Sequence, residues 1–149
     1  MAHDVFISHA HKDKGIANAI CEKLESAGVR CWIAPRNISP GEDWTEAIRN
    51  AIGSSRVMVP VLSENAIASP HMEREIANAF FTGPIIVPFR LAKTLPRRDL
   101  LFYLGDARWC DAANPPAEQD LETLMGSIRS LLADLAVPGS DLHRLRAAT

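Results

Sequence analysis

The stretch "SPHMEREIANAF", residues 69 to 80, sets His71, Glu73 and Glu75 among apolar residues at helical spacing. In a helix over residues 70 to 82, Met72, Ile76, Ala79 and Phe80 share one stripe, with Glu75 and His71 beside it and Glu73 turned further away. His71 and Glu75 stand four residues apart, so they are neighbours on one face. The helix dipole also favours a carboxylate near the helix start. On spacing alone, Glu75 is open to two readings. It is either a boundary glutamate near Arg74 or another surface cation, or an acid turned into a pocket. In a pocket, a carboxylate can hydrogen-bond a ligand's hydroxyls and stabilise developing positive charge.

The elements that must hold this helix follow from the apolar pattern. "DVFISHA", "KDKGIANAICEKLESAG" and "VRCWIAP" read as strand, helix and strand. The helix buries Ile16, Ala19, Ile20, Lys23 and Leu24 and ends at Gly28, which suits a left-handed cap. "GEDWTEAIRNAIGSS" repeats the helical pattern with Trp44, Ile48, Ala51 and Ile52 inward, and "RVMVPVLS" reads as a fully buried central strand. After the helix that carries Glu75 come a fourth strand "PIIVPFRLA", a short helix "PRRDLLFYLG", a fifth strand "ARWCDA" and a long closing helix to Val137.

Repeated βα units without hairpin signals predict an α/β fold. The expected sheet is parallel, five-stranded and flavodoxin-like, in the order 2-1-3-4-5, with helices on both faces. Ligands of such sheets gather beyond the carboxyl ends of the strands, here after Ile7, Ile33 and Leu62.

The bulk properties narrow the function. A chain of 149 residues suits one domain, expected over 1–137, and "PGSDLHRLRAAT" at 138–149 reads as a tail or a linker to a further domain. The formal net charge of −2 gives no case for direct nucleic-acid or anionic-membrane binding. Neither a signal peptide nor a membrane-length apolar run is apparent, so a cytoplasmic location is expected. Cys21, Cys31 and Cys110, with the five histidines, show no ligand spacing, so no metal is expected. The glycine fingerprints of dinucleotide-binding and Walker folds are also missing, which argues against hydride transfer.

Three blocks, "DVFISHAHKD", "CWIAPRNISPGEDW" and "SPHMEREI", occur in order on these elements. Over residues 4 to 137 they resemble a Toll/interleukin-1 receptor (TIR) domain of bacterial type. The resemblance implies a self-assembling module, or an enzyme that cleaves the nicotinamide glycosidic bond of NAD+ as its substrate, with no cofactor. It identifies Glu75 with the family's catalytic glutamate and Asn37, Ile38, Ser39, Pro40, Gly41, Glu42 and Asp43 with its mobile assembly loop. Pro40 and Gly41 interrupt regular structure there, and Asp43 is placed to cap the helix that follows.

The leaving nicotinamide departs neutral and needs no proton donor, so one carboxylate suffices to stabilise the oxocarbenium ion. His71 stands where active relatives commonly carry tryptophan or another stacking group. Ser8 and His9 could meet a phosphate or ribose, or Ser8 could cap the next helix. Arg36 could pair with a pyrophosphate or be an ordinary loop arginine. Trp32 and Trp44 could border the pocket or belong to the core, and Ser63 could bind substrate or cap a helix.

The product could be ADP-ribose or a cyclic isomer. Bacterial relatives serve in anti-phage defence, and such an enzyme would be latent until homotypic TIR contacts, a sensor domain or a partner protein assemble it. Two other readings stand beside this one. A non-catalytic adaptor would act through the same surfaces. A phosphoacceptor receiver domain needs clustered aspartates where this chain has Ser8 and Ser63.

Overall fold

A computed structural model describes residues 3–136. The tail at 138–149, with His143, and the expected helix end at Val137 lie outside the described residues. The chain order is β1 (Val5–Ser8), a 3-10 turn (His11–Asp13), α1 (Lys14–Ser26), β2 (Cys31–Ile33), α2 (Trp44–Ser54) and β3 (Val57–Leu62). There follow α3 (Glu64–Ile67), α4 (Pro70–Thr82), β4 (Ile85–Ile86), β5 (Phe89–Leu91), α5 (Arg98–Leu104), β6 (Cys110–Ala112) and α6 (Glu118–Ala136).

The sheet is parallel, in the order β2-β1-β3-β5-β6, with β4 also paired to β3. The expected topology holds, with one correction: the fourth strand is broken in two. Val57 faces Ile85 and Val61 faces Phe89 in one unchanged register, so β4 and β5 are a single strand interrupted at its middle. That register sets Pro60 beside Pro88. Pro60 carries no N–H and so removes a donor from this ladder, while Pro88 turns its carbonyl toward β6, where it accepts the Cys110 N–H.

β1 and β3 are buried along their whole length, and alternate residues feed two cores. Val5, Ile7, Val57, Val59 and Val61 pack under α1 and α6, whereas Phe6, Met58 and Leu62 pack under α2, α4 and α5. Ser8 shares the face of Phe6 and is therefore aimed at α4.

Two helix phases differ from expectation. In α1 the buried residues are Ala17, Ile20, Cys21 and Leu24, so the stripe is rotated away from Ala19 and Lys23 and brings Cys21 inward. In α2 Ala47, Ala51 and Ile52 are buried, while Trp44, the first helical residue, is 55% exposed. Ala47, Ala51 and Ile52 join the cluster of Phe6, Trp32 and Met58, and Trp44 stays outside it. Gly28 adopts φ +85° beyond the end of α1, as its expected capping role requires. Among the described residues, no helix is long and apolar enough to cross a membrane.

At the amino end of β1, Asp4 accepts hydrogen bonds from the Arg30 backbone N–H at 2.9 Å and from the Arg30 guanidinium, joining the starts of β1 and β2. Burial opposes the Asp4 charge, but the Arg30 hydrogen bonds, with the charges of Arg30 and Arg56, outweigh it and hold the carboxyl below its ordinary range. This stabilisation is present above the unfolded-state pKa of about 3.9 and is lost as pH falls through the lower folded value. Asp4→Asn is expected to cost about 1–3 kcal/mol at pH 7. Urea denaturation should show the gap from wild type narrowing once pH drops below the carboxylate range.

Candidate active site

Three loops meet at the carboxyl ends of the central strands, and two hydrogen bonds from strand-end serines organise them. The Ser8 hydroxyl, at the end of β1, donates to Glu75 Oε1 at 2.6 Å and lies 3.3 Å from Met72 Sδ. Glu75 reaches this position because it flanks the buried Met72 and Ile76 on α4, the helix above the Ser8 face of the sheet. Glu73 turns away and meets Arg97 at 3.4 Å. Arg74 does not engage Glu75 directly: its guanidinium donates to His71 Nδ1 at 3.1 Å. Ser8 does not cap the next helix, since its hydroxyl is used across the sheet.

At the end of β3 the buried Ser63 hydroxyl accepts from the Ala66 N–H at 3.1 Å, capping α3, and donates to the buried Asp13 carboxylate. The cap is present, and the hydroxyl proton is held by Asp13. Asp13 was missed in the sequence because "HKDK" reads as a solvated polar run. The available signal was a lone acid where a strand-end loop turns into a helix. His9 ties β1 to β2, with Nδ1 2.8 Å from the Ala10 carbonyl and Nε2 3.2 Å from the Ala34 carbonyl.

The remaining candidates sit further out. His71 is exposed on the first turn of α4, where its Nδ1 meets the Arg74 guanidinium. Trp44 is largely exposed, whereas Trp32 is buried and stacks on Phe6 at 5.1 Å, which makes it a core residue. Arg36 forms two hydrogen bonds to Glu25, at 3.0 and 2.8 Å, and a third to the Cys31 carbonyl. Its guanidinium is thus committed to α1, away from the Ser8–Glu75 pair.

The loop at residues 37–43 is a series of hydrogen-bonded turns. Asn37 Oδ1 accepts the Ile33 N–H, the Ser39 N–H donates to Glu42 Oε1, and Gly41 adopts φ +81°. Asp43 caps α2 by accepting the Glu46 N–H, as its position led us to expect. Among the described residues, one group of possible metal ligands comes together, Cys21, Glu25 and Cys31, and it lies apart from this site.

Burial pushes the Glu75 carboxyl above the ordinary glutamate value, and the Ser8 hydrogen bond with the charges of His71, His9 and Arg74 offsets only part of this. A folded pKa above the unfolded one makes ionised Glu75 a stability cost at neutral pH, which disappears as pH falls below the unfolded value. Glutamine keeps the acceptor for Ser8 without the charge. Glu75→Gln is therefore expected to melt at a higher temperature than wild type at pH 7, with the difference shrinking toward pH 4; a lower melting temperature at pH 7 contradicts this electrostatic account.

Comparison with known proteins sets this geometry in a family. The chain spans only about a quarter of the length of the curated relatives it matches. "NAD(+) hydrolase PdTIR" of Paracoccus denitrificans (strain Pd 1222) is 33% identical over 79 residues, which are 52% of this chain and 26% of that protein. "NAD(+) hydrolase TcpA" of Theionarchaea archaeon (strain DG-70-1) is 35% identical over 75 residues, 50% of this chain and 23% of that protein. Among solved structures, the TIR domain of the Toll-related receptor TRR-2 of Hydra magnipapillata superposes with a TM-score of 0.66 at 23% identity, covering 91% of this chain and 100% of that one. Residues 5–125 match the family model described as "TIR domain", and the chain belongs to the TIR domain family.

Proposed function

We propose that this domain cleaves the bond between ribose and nicotinamide in NAD+, with Glu75 as the catalytic residue. The observation that carries the reading is the Glu75 carboxylate, drawn inward by Ser8 at the carboxyl end of β1, where parallel sheets place their ligands. The naming of two relatives as NAD(+) hydrolases supports it.

The glycosidic bond breaks with its electron pair passing to the nicotinamide nitrogen. That neutralises the pyridinium and leaves positive charge on the ribose C1′ and ring oxygen. An ionised Glu75 facing that charge stabilises it more in the transition state than in the ground state, which is where a catalytic interaction acts. Ser8 fixes the carboxylate rotamer as a positioning residue, and His71 on the rim is available to stack on the nicotinamide ring. Attack by water at C1′ gives ADP-ribose, and attack by an adenine nitrogen gives a cyclic isomer.

Activation by assembly is part of the proposal. The turns at 37–43 present Pro40, Gly41 and Glu42 outward, and α4 and α5 expose Phe81 and Phe102, each 73% accessible, as a second contact surface. A requirement for homotypic contact through such surfaces would keep the enzyme latent until a sensor domain or partner protein concentrates it. Antiviral defence in a bacterial cytoplasm is the setting that suits a latent consumer of NAD+.

Nicotinamide release from NAD+ at high protein concentration with a crowding agent tests the reading. Wild type is expected to turn over, Glu75→Gln to lose on the order of 10²–10³-fold, and Glu73→Ala to stay within a few-fold of wild type. Because the reaction needs the carboxylate and burial raises its pKa, activity is expected to fall on acidification already above the ordinary glutamate range. Equal activity in wild type and Glu75→Gln would overturn the assignment, and silence from all three folded proteins would favour the adaptor reading.

A further inference from the structure

Cys21 and Glu25 lie one helical turn apart on α1, and Cys31 opens the neighbouring strand β2, so the fold gathers donors that the sequence keeps apart. The two Sγ atoms and a Glu25 carboxylate oxygen all lie within 4.8 Å of one another. Both cysteines are free thiols, buried on the side of the sheet that α1 covers. Glu25 is exposed, and it and Cys31 open onto a cleft of ≈ 470 Å³ that His3, Arg36 and Asn37 also line. The cleft supplies the entry path that a pair of sealed core thiols would lack.

We propose that Cys21, Cys31 and Glu25 form a binding site for one thiophilic divalent cation of the zinc type. Donors around a tetrahedral zinc ion stand roughly 3.5–3.8 Å apart, given Zn–S near 2.3 Å and Zn–O near 2.0–2.2 Å. A spread of at most 4.8 Å therefore needs only a side-chain adjustment of about an ångström. Two thiolates and a carboxylate carry one negative charge more than a divalent cation neutralises. The Arg36 guanidinium, bonded to both Glu25 oxygens, supplies the balancing positive charge and orients the carboxylate as an outer partner. Each thiol releases its proton to solvent as its sulfur–metal bond forms, and water in the cleft takes the fourth position.

The consequence reaches the loop at 37–43. Arg36 and Asn37 form its root, with the Arg36 Nε donating to Asn37 Oδ1 at 3.1 Å, so an occupied site would stiffen the anchor of that loop on α1. The site is independent of Glu75, and its test does not depend on activity.

Cobalt(II) titration of the fully reduced chain reads the site directly. The expected result is a thiolate-to-cobalt charge-transfer band that saturates at one equivalent and is displaced by zinc. Cys31→Ser should abolish the band, Cys110→Ser should leave it unchanged, and Glu25→Gln should weaken binding at least tenfold. Because Glu25 is exposed, its variant keeps the test valid if a cysteine variant fails to fold, as circular dichroism would report. A wild-type protein without the band overturns the proposal, and so does a band that survives the Cys21→Ser/Cys31→Ser double variant. Closure of a Cys21–Cys31 disulfide by diamide in a protein that gives no cobalt band would show a redox pair in place of a metal site.

Discussion

A strand covered by helices on both faces has nowhere along its length to put a polar side chain without losing hydration that nothing replaces. β1 and β3 are in that position, and each ends in a serine at the point where the covering helices give way to loops. The two hydroxyls are satisfied in the same manner, by a carboxylate from another element: Ser8 by Glu75 of α4 and Ser63 by Asp13 at the start of α1. The central strands thus fix where polar chemistry can occur, and the acids that meet it fix which helices border the site.

The two acids are held differently. Asp13 is buried beneath the loops and locks the first helix onto the end of β3. Glu75 is only partly covered, near the exposed His71, and burial works against its charge. Arg74, the residue before it, points elsewhere around the helix and is bonded to His71, whereas the Glu75 carboxylate is aimed inward at Ser8. A charge held at a stability cost at the carboxyl ends of the strands fits the role proposed for Glu75 beside a cationic ligand.

Much of the fold was legible because it rests on period. Alternation along β1, the continuous apolar run of β3 and the stripe of α4 placed every long element, and the helical phase of "HMEREI" was enough to separate Glu75 from Glu73. What was not legible depends on contacts between distant segments. The Pro60–Pro88 gap needs the register of two strands. The exposure of Trp44 needs the packing of α2 against the cluster of Phe6, Trp32 and Met58. The engagement of Arg36 with Glu25, and the grouping of Cys21 with Cys31, need the docking of α1 against β2. Asp13 escaped because only its burial under the loops, which rests on contacts with β3, separates it from the solvated polar run around it.

In the proposed function Glu75 is a desolvated carboxylate that meets a positive ribosyl centre. Following the Glu75 side-chain carboxyl carbon by NMR through a pH titration, with and without NAD+, tests it most directly. The account requires a midpoint above that of an ordinary glutamate in the free protein, and a downward move when the pyridinium of NAD+ is bound beside it. An ordinary midpoint that NAD+ leaves unchanged would contradict both the burial and the proposed role.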